Sequence, residues 1–218
     1  MGTRLKLEVM DAGRMPYGEA LDLQHRLVDA RRESSIPDTL ILVEHPPVIT
    51  MGRKATETDI VAPRAELAAA GVEIHRITRG GEATYHGPGQ IVGYAIIDLS
   101  AHQRKVRLFV ERMEEVFVRL LDRHYGIEAH RDEEHRGVWV GNEKITAIGI
   151  AITRGITMHG FAFNVSPDLS HFSWIVPCGI RDRGVTSLHE LTGTTLDLET
   201  VKHQVVESFR SVYGYRES

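Results

Sequence analysis

Residues 138–165, VWVGNEKITAIGIAITRGITMHGFAFNV, are the stretch from which the fold is read. Two runs rich in Ile, Val, Thr and Phe, 138–152 and 156–165, flank Arg154-Gly155, a dipeptide suited to a tight turn, and together they predict a β-hairpin. On its N-terminal side Val106, Phe109, Val110, Met113, Val116, Phe117, Leu120 and Leu121 recur three or four apart. That spacing predicts an amphipathic helix of about four turns, stopping near Gly126. A second helix is predicted over 17–32, with Ala20, Leu23, Leu27 and Ala30 inward, and a first strand from the alternation of Leu5, Leu7 and Val9. Residues 39–44, closed by His45-Pro46-Pro47, and residues 72–77 and 91–99 read as further strands. A last helix begins with Asp197 as N-cap, turns Val201, Val205 and Phe209 inward, and ends before Gly214. Helices interspersed with hairpin-forming strands predict an α/β fold: a single domain over 1–218, a mixed sheet with flanking helices.

Composition narrows the function. The 218 residues carry 26 Lys and Arg against 30 Asp and Glu, a formal net charge of -4, with no block of like charge, so a nucleic-acid partner is disfavoured. No apolar run follows Met1-Gly2-Thr3-Arg4, and none anywhere approaches ~18 residues, so the chain is expected to be soluble, cytoplasmic and without a membrane partner. Lys6 stands where a myristoylation signal wants Ser or Thr, and Asn164-Val165-Ser166 fits the glycosylation pattern only by chance in such a compartment. The single cysteine, Cys178, excludes an internal disulfide and a Cys-rich zinc site.

Motif spacing excludes more. Neither 81–87 nor 141–144 supplies the Gly-Lys-Ser/Thr adjacency of a phosphate-gripping loop, and the glycine-rich loop 79–90 leads into a strand, not the helix of a dinucleotide fingerprint. Its glycines serve either a demanding turn or a backbone brought close to a ligand. His130, Asp132, Glu133, Glu134 and His135 read as a solvated connection before they read as metal ligands. Cys178, between Pro177 and Gly179, is either a buried inert thiol or a reactive one presented by a shaped turn. Reactivity near neutral pH needs a partner, for which His86, His159, His171 and Lys144 are the candidates. Lys144 is either an ordinary surface lysine or, at a turn feeding an apolar strand, a desolvated one.

Residues 44–53 (EHPPVITMGR), 79–90 (RGGEATYHGPGQ), 137–150 (GVWVGNEKITAIGI) and 159–179, with Asn164, Asp168, Leu169, Phe172 and Pro177-Cys178-Gly179, together resemble the lipoyl(octanoyl) transferase family of lipoate biosynthesis. The resemblance implies the fold of biotin and lipoate protein ligases. It also implies transfer of octanoyl from octanoyl-acyl carrier protein to a lysine of lipoyl domains of 2-oxoacid dehydrogenase complexes and of the glycine cleavage H protein. Carried over residue by residue, the nucleophile would be Cys178 and its paired lysine Lys144. The acyl-binding segments would be Arg79, Gly80, Gly81, Glu82, Ala83, Thr84, Tyr85 and His86; Ala147, Ile148 and Gly149; and Gly160, Phe161 and Ala162. Such a transfer needs no cofactor and no metal, because the thioester donor is already activated. The same fold also admits an ATP-dependent lipoate or biotin protein ligase, or a non-catalytic binder of lipoyl domains. Arg53, Lys54, Arg104, Lys105 and Arg107 read as a basic face for an acidic carrier protein or as plain solvated surface.

Overall fold

A computed structural model of the protein describes residues 6–176 and 183–216. In chain order the strands are β1 (Leu7–Arg14), β2 (Asp38–Glu44), β3 (Val48–Met51), β4 (Glu73–Arg76), β5 (Ala83–His86), β6 (Gln90–Ile96), β7 (His130–Arg131), β8 (Gly137–Val140), β9 (Glu143–Thr153), β10 (Ile156–Asn164) and β11 (Gly184–Val185). The helices are α1 (Tyr17–Arg32), α2 (Arg64–Ala69), α3 (Val106–Tyr125), α4 (Leu188–Thr192) and α5 (Leu198–Tyr213). They build one mixed α/β domain. Its main sheet runs β1-β2-β6-β10-β9-β8-β7, with β11 added to β9, and a smaller sheet runs β4-β3-β5. Parallel pairs at β1/β2 and β11/β9 amid antiparallel neighbours make the main sheet mixed.

Strand alternation assigns the two faces of the main sheet. Ile91, Phe161 and Phe163 pack with Phe109, Met113, Val116, Phe117 and Leu120 of α3 and with Val201, Val205 and Phe209 of α5. Their neighbours Val92 and Ala162 turn to the other side, where they meet Tyr17, Ala20 and Val28 of α1. α3 stops at Gly126, whose φ of 65° is the left-handed closure that glycine adopts readily, and the Asp197 carboxylate caps α5 by accepting from Thr200 N at 3.0 Å.

Three readings of the sequence need correction or limit. The run 138–152 is two strands, β8 and β9, because the chain turns at Gly141 with φ 56°. The fully buried residues of α1 are Tyr17, Ala20, Gln24 and Val28, with Leu23 and Leu27 partly buried beside them against the same cluster; burial centres on Gln24, whose Oε1 accepts His159 N–H at 2.8 Å. The smaller sheet was not expected: β3 and β5 have four residues each, too short for alternation to register, and β5 lies inside the glycine-rich loop. Leu5, assigned to the first strand, and Cys178 lie outside the described residues. Among the described residues no helix is long and apolar enough to cross a membrane.

Candidate active site

The centre of the main sheet is poor in side-chain volume on its α1 face. Ala147 of β9 stands opposite Ala162 of β10, and Gly149 opposite Gly160. On β6 the next partners are Val92 and Tyr94. The missing side chains leave a trough, and residues 79–83 cover it. Gly80 N donates to Ile150 O at 3.0 Å, which pins the cover to β9. The Arg79 guanidinium is buried and donates to Thr50 O at 2.8 Å, Thr50 Oγ1 at 3.0 Å and Gly80 O at 3.0 Å. Backbone bonds from Gly52 N to Glu82 O, Arg53 N to Arg79 O and Lys54 N to Gly81 O knit the cover to the chain leaving β3. Gly52 is required there, because a Cβ on it would lie 2.3 Å from Gly81 O. The result is a cleft of about 530 Å³ including its open mouth, with Lys144 and Arg136 in its wall and Tyr17, His86, Tyr94 and His159 also lining it.

Lys144, second residue of β9, is 6% exposed. Its stem passes over Gly137, where a Cβ would lie 3.3 Å from both Lys144 Cδ and Cε and 2.4 Å from Thr146 O. Glycine also suits the φ of 133° at that position. Nζ donates to Arg136 O at 3.1 Å and stands 4.7 Å from the centre of the Trp139 ring, an ammonium over an aromatic face. The lysine is therefore desolvated and held, and the surface alternative falls away. Cys178 lies outside the described residues, which resume at 183. β11 runs beside Lys144, with Val185 paired to it, and Thr186 N donates to Lys144 O at 3.0 Å.

A buried chain of polar groups links β5, β6 and β10 to that segment. Gln90 Oε1 faces His86 Nδ1 at 3.2 Å, Gln90 Nε2 donates to Asn164 Oδ1 at 3.0 Å, and Asn164 Nδ2 donates to Thr186 O at 3.0 Å. Burial keeps the nearby imidazoles uncharged: His159 is pushed down to about 3 and His45 to about 4, and His86 also falls well below the ordinary histidine value. Burial likewise pushes the Tyr17 and Tyr94 phenols above theirs. The cleft interior is thus largely apolar with uncharged imidazoles and phenols, and Arg79 and Glu82 in its cover and Lys144 in its wall bring charged side chains to it.

Of the acyl-binding residues expected from sequence, Arg79, Gly80, Gly81, Glu82, Ala83, Thr84, His86, Ala147, Ile148, Gly149, Gly160, Phe161 and Ala162 all line this cleft together with Lys144. Tyr85 does not. Its ring turns to Phe172 and Trp174, its hydroxyl meets His171 Nδ1 at 2.8 Å, and it lines a smaller adjoining cavity that shares Lys144, Ala147 and Ala162. His171, so engaged, is not in the cleft, whereas His86 and His159 are. Tyr17, Tyr94 and Arg136 were missed: the first two carry no local signal beyond helix or strand, and Arg136 contributes through its backbone carbonyl, to which residue type is no guide. Arg53, Lys54, Arg104, Lys105 and Arg107 are all exposed, and Lys54 and Arg107 line an outer groove that continues to Lys144. In the 130–135 connection Asp132 accepts from Glu134 N, His135 N and Arg183, and no cluster able to hold a metal ion occurs among the described residues.

Comparison with known proteins places this geometry. Residues 16–210 match the family model of the lipoyl protein ligase A/B catalytic domain. The chain is 52% identical over 209 residues to the octanoyltransferase of Caldicellulosiruptor bescii, covering 95% of this chain and 92% of that one. It is 50% identical to the octanoyltransferase of Alkaliphilus metalliredigens, covering 97% of each. Among solved structures, a bipartite lipoate protein ligase from Thermoplasma acidophilum superposes with a TM-score of 0.73 at 18% identity, over all of this chain and 87% of that one. The biotin protein ligase of Aquifex aeolicus reaches 0.54 at 13% identity, over 97% of this chain and 70% of that one, a likeness of fold alone. The chain belongs to the lipoyl protein ligase A/B catalytic-domain family and, within it, to the octanoyltransferases, which makes it an acyltransferase.

Proposed function

We propose that the chain moves an octanoyl group from octanoyl-acyl carrier protein to a lysine of a lipoyl domain, by way of a thioester on Cys178. The acceptors would be the lipoyl domains of 2-oxoacid dehydrogenase complexes and the glycine cleavage H protein. The observation that carries the reading is a largely apolar, small-residue cleft with a buried lysine in its wall, in a chain about 50% identical to octanoyltransferases. Each buried methylene contributes on the order of 0.8 kcal/mol, so the cleft supplies several kcal/mol of binding to an eight-carbon chain and little to a short one.

In the first step the Cys178 thiolate, favoured by the Lys144 ammonium, attacks the donor carbonyl. A carbon–sulfur bond to the enzyme forms, the bond to the carrier breaks, and Lys144 gives its proton to the departing thiolate. Lys144 is then a neutral amine. In the second step the acceptor amine attacks the enzyme thioester, an amide forms, and Lys144 takes the proton that the amine loses as the Cys178 thiolate leaves. The thiolate and ammonium are thereby restored. Both acyl donors are thioesters, so no nucleotide takes part.

The test mixes the protein with octanoyl-acyl carrier protein and an apo lipoyl domain in the absence of nucleotide and follows both proteins by intact-mass spectrometry. An octanoyl adduct on wild type, none on Cys178→Ala, and octanoylated lipoyl domain as product are expected. Absolute dependence on ATP would reject transfer in favour of a ligase, and acceptor binding with no adduct or product would leave a binder.

A further inference from the structure

Glu114 lies midway along α3, fully buried, on the face that otherwise carries Met113, Val116 and Phe117 into the core. A carboxyl group there is costly to bury and adds nothing to apolar packing, so its contacts must account for it. Oε1 accepts the Gly137 N–H at 3.1 Å, and Oε2 is 3.5 Å from Arg136 Nη1. The other end of that same peptide unit, the Arg136 carbonyl, is the group that accepts from Lys144 Nζ at 3.1 Å. One peptide plane therefore joins the buried carboxyl to the cleft ammonium. Glycine at 137, with φ 133°, sets little side-chain resistance to rotation of that plane.

We infer that Glu114 is a positioning residue, which holds the 136–137 peptide in the one orientation that turns the Arg136 carbonyl toward Lys144. The inference rests on the role proposed for Lys144. Released from Glu114, the plane can turn and the carbonyl leaves Nζ, so the ammonium loses this anchor and its placement in the cleft wall shifts. The acyl-binding surface is untouched by this change.

Two conservative variants separate reach from charge. Glu114→Gln keeps an acceptor oxygen at the same distance without the charge, and Glu114→Asp keeps the charge but is one methylene short. Octanoyl transfer to an apo lipoyl domain is measured for both, with thermal midpoints recorded alongside. Glu114→Gln should stay within about threefold of wild type in kcat, and Glu114→Asp should lose about tenfold or more in kcat with KM for the octanoyl donor within about twofold. Should Glu114→Asp not fold, Glu114→Met is held to the same kcat and KM criterion. The inference is overturned by a wild-type kcat in the short variant, by equal losses in Gln and Asp, or by a loss no larger than the fall in folded fraction. Absence of transfer in wild type overturns the proposed function instead.

Discussion

Replacing Ala162 by Leu puts three more carbon atoms into the cleft from the middle of its floor. Ala162 is 4% exposed and sits between Ala147 of β9 and Val92 of β6, one row nearer the Lys144 end than Gly149, Gly160 and Tyr94. The three added carbon atoms occupy space for about three methylenes of a bound acyl chain, so the loss is about 2.4 kcal/mol, or about 50-fold in kcat/KM for an octanoyl donor. That row comes first from the Lys144 end, so a butanoyl donor meets the same obstruction and should lose activity as well. The assay compares kcat/KM for octanoyl and butanoyl thioesters of the same carrier protein, in wild type and variant, with thermal midpoints to show that the sheet is intact. No loss for either donor, or a loss no larger than the fall in folded fraction, would refute the assignment of this trough as the acyl site.

Lys144→Ala should abolish overall transfer by about a hundredfold or more while the thermal midpoint stays within a few degrees; near-normal turnover would remove the lysine from the proposed mechanism. Arg79→Met removes the donors to Thr50 and Gly80 beneath the cleft cover, at a cost of about 2 kcal/mol. For a domain of this size that lowers the thermal midpoint by about 4–8 °C, and KM for the octanoyl donor should rise, readable by calorimetry and steady-state kinetics. Burial holds His159 at about 3 in the folded chain against 6.5 unfolded, so below pH 6.5 only the unfolded chain takes up this proton. Stability from this group is complete above pH 6.5 and falls as pH drops toward 3, by about 2 kcal/mol at pH 5. Denaturant midpoints of His159→Asn should fall less steeply than wild type between pH 7 and 5, and parallel curves would contradict the burial argument.

Elements with a long repeat were legible in the amino-acid order. The run from Val106 to Leu121 has enough turns for its period to show, and its stop at Gly126 and the Asp197 cap follow from local backbone chemistry. The hairpin around Arg154-Gly155 was legible because both residues adopt the left-handed conformation that a tight turn demands. The turn at Gly141 was legible only in part: Gly-Asn-Glu-Lys marked a turn at Lys144, but the apolar residues on either side led 138–152 to be read as one strand-like run. The face of α1 was read off centre because the bond from His159 N to Gln24, 135 residues apart in the chain, leaves no mark in an apolar pattern, while Leu23 and Leu27 flank the buried face. At the site, the glycines and alanines were legible through the family resemblance. The contributions of Tyr17 and Tyr94 arise only when α1 and β6 are brought to the same trough, and Tyr85 left the cleft because strand alternation in β5 turns it toward Phe172.

The backbone bonds that knit residues 79–82 to residues 52–54 make the tolerance of this region to substitution run opposite to intuition. The side chain at 82 can vary without loss of those bonds, because main-chain atoms make them. Gly52, which does not line the cleft, has no such freedom, since any side chain would push against the Gly81 carbonyl. In a mutational scan the position most intolerant of change on this side of the molecule should therefore be one that never meets the acyl chain.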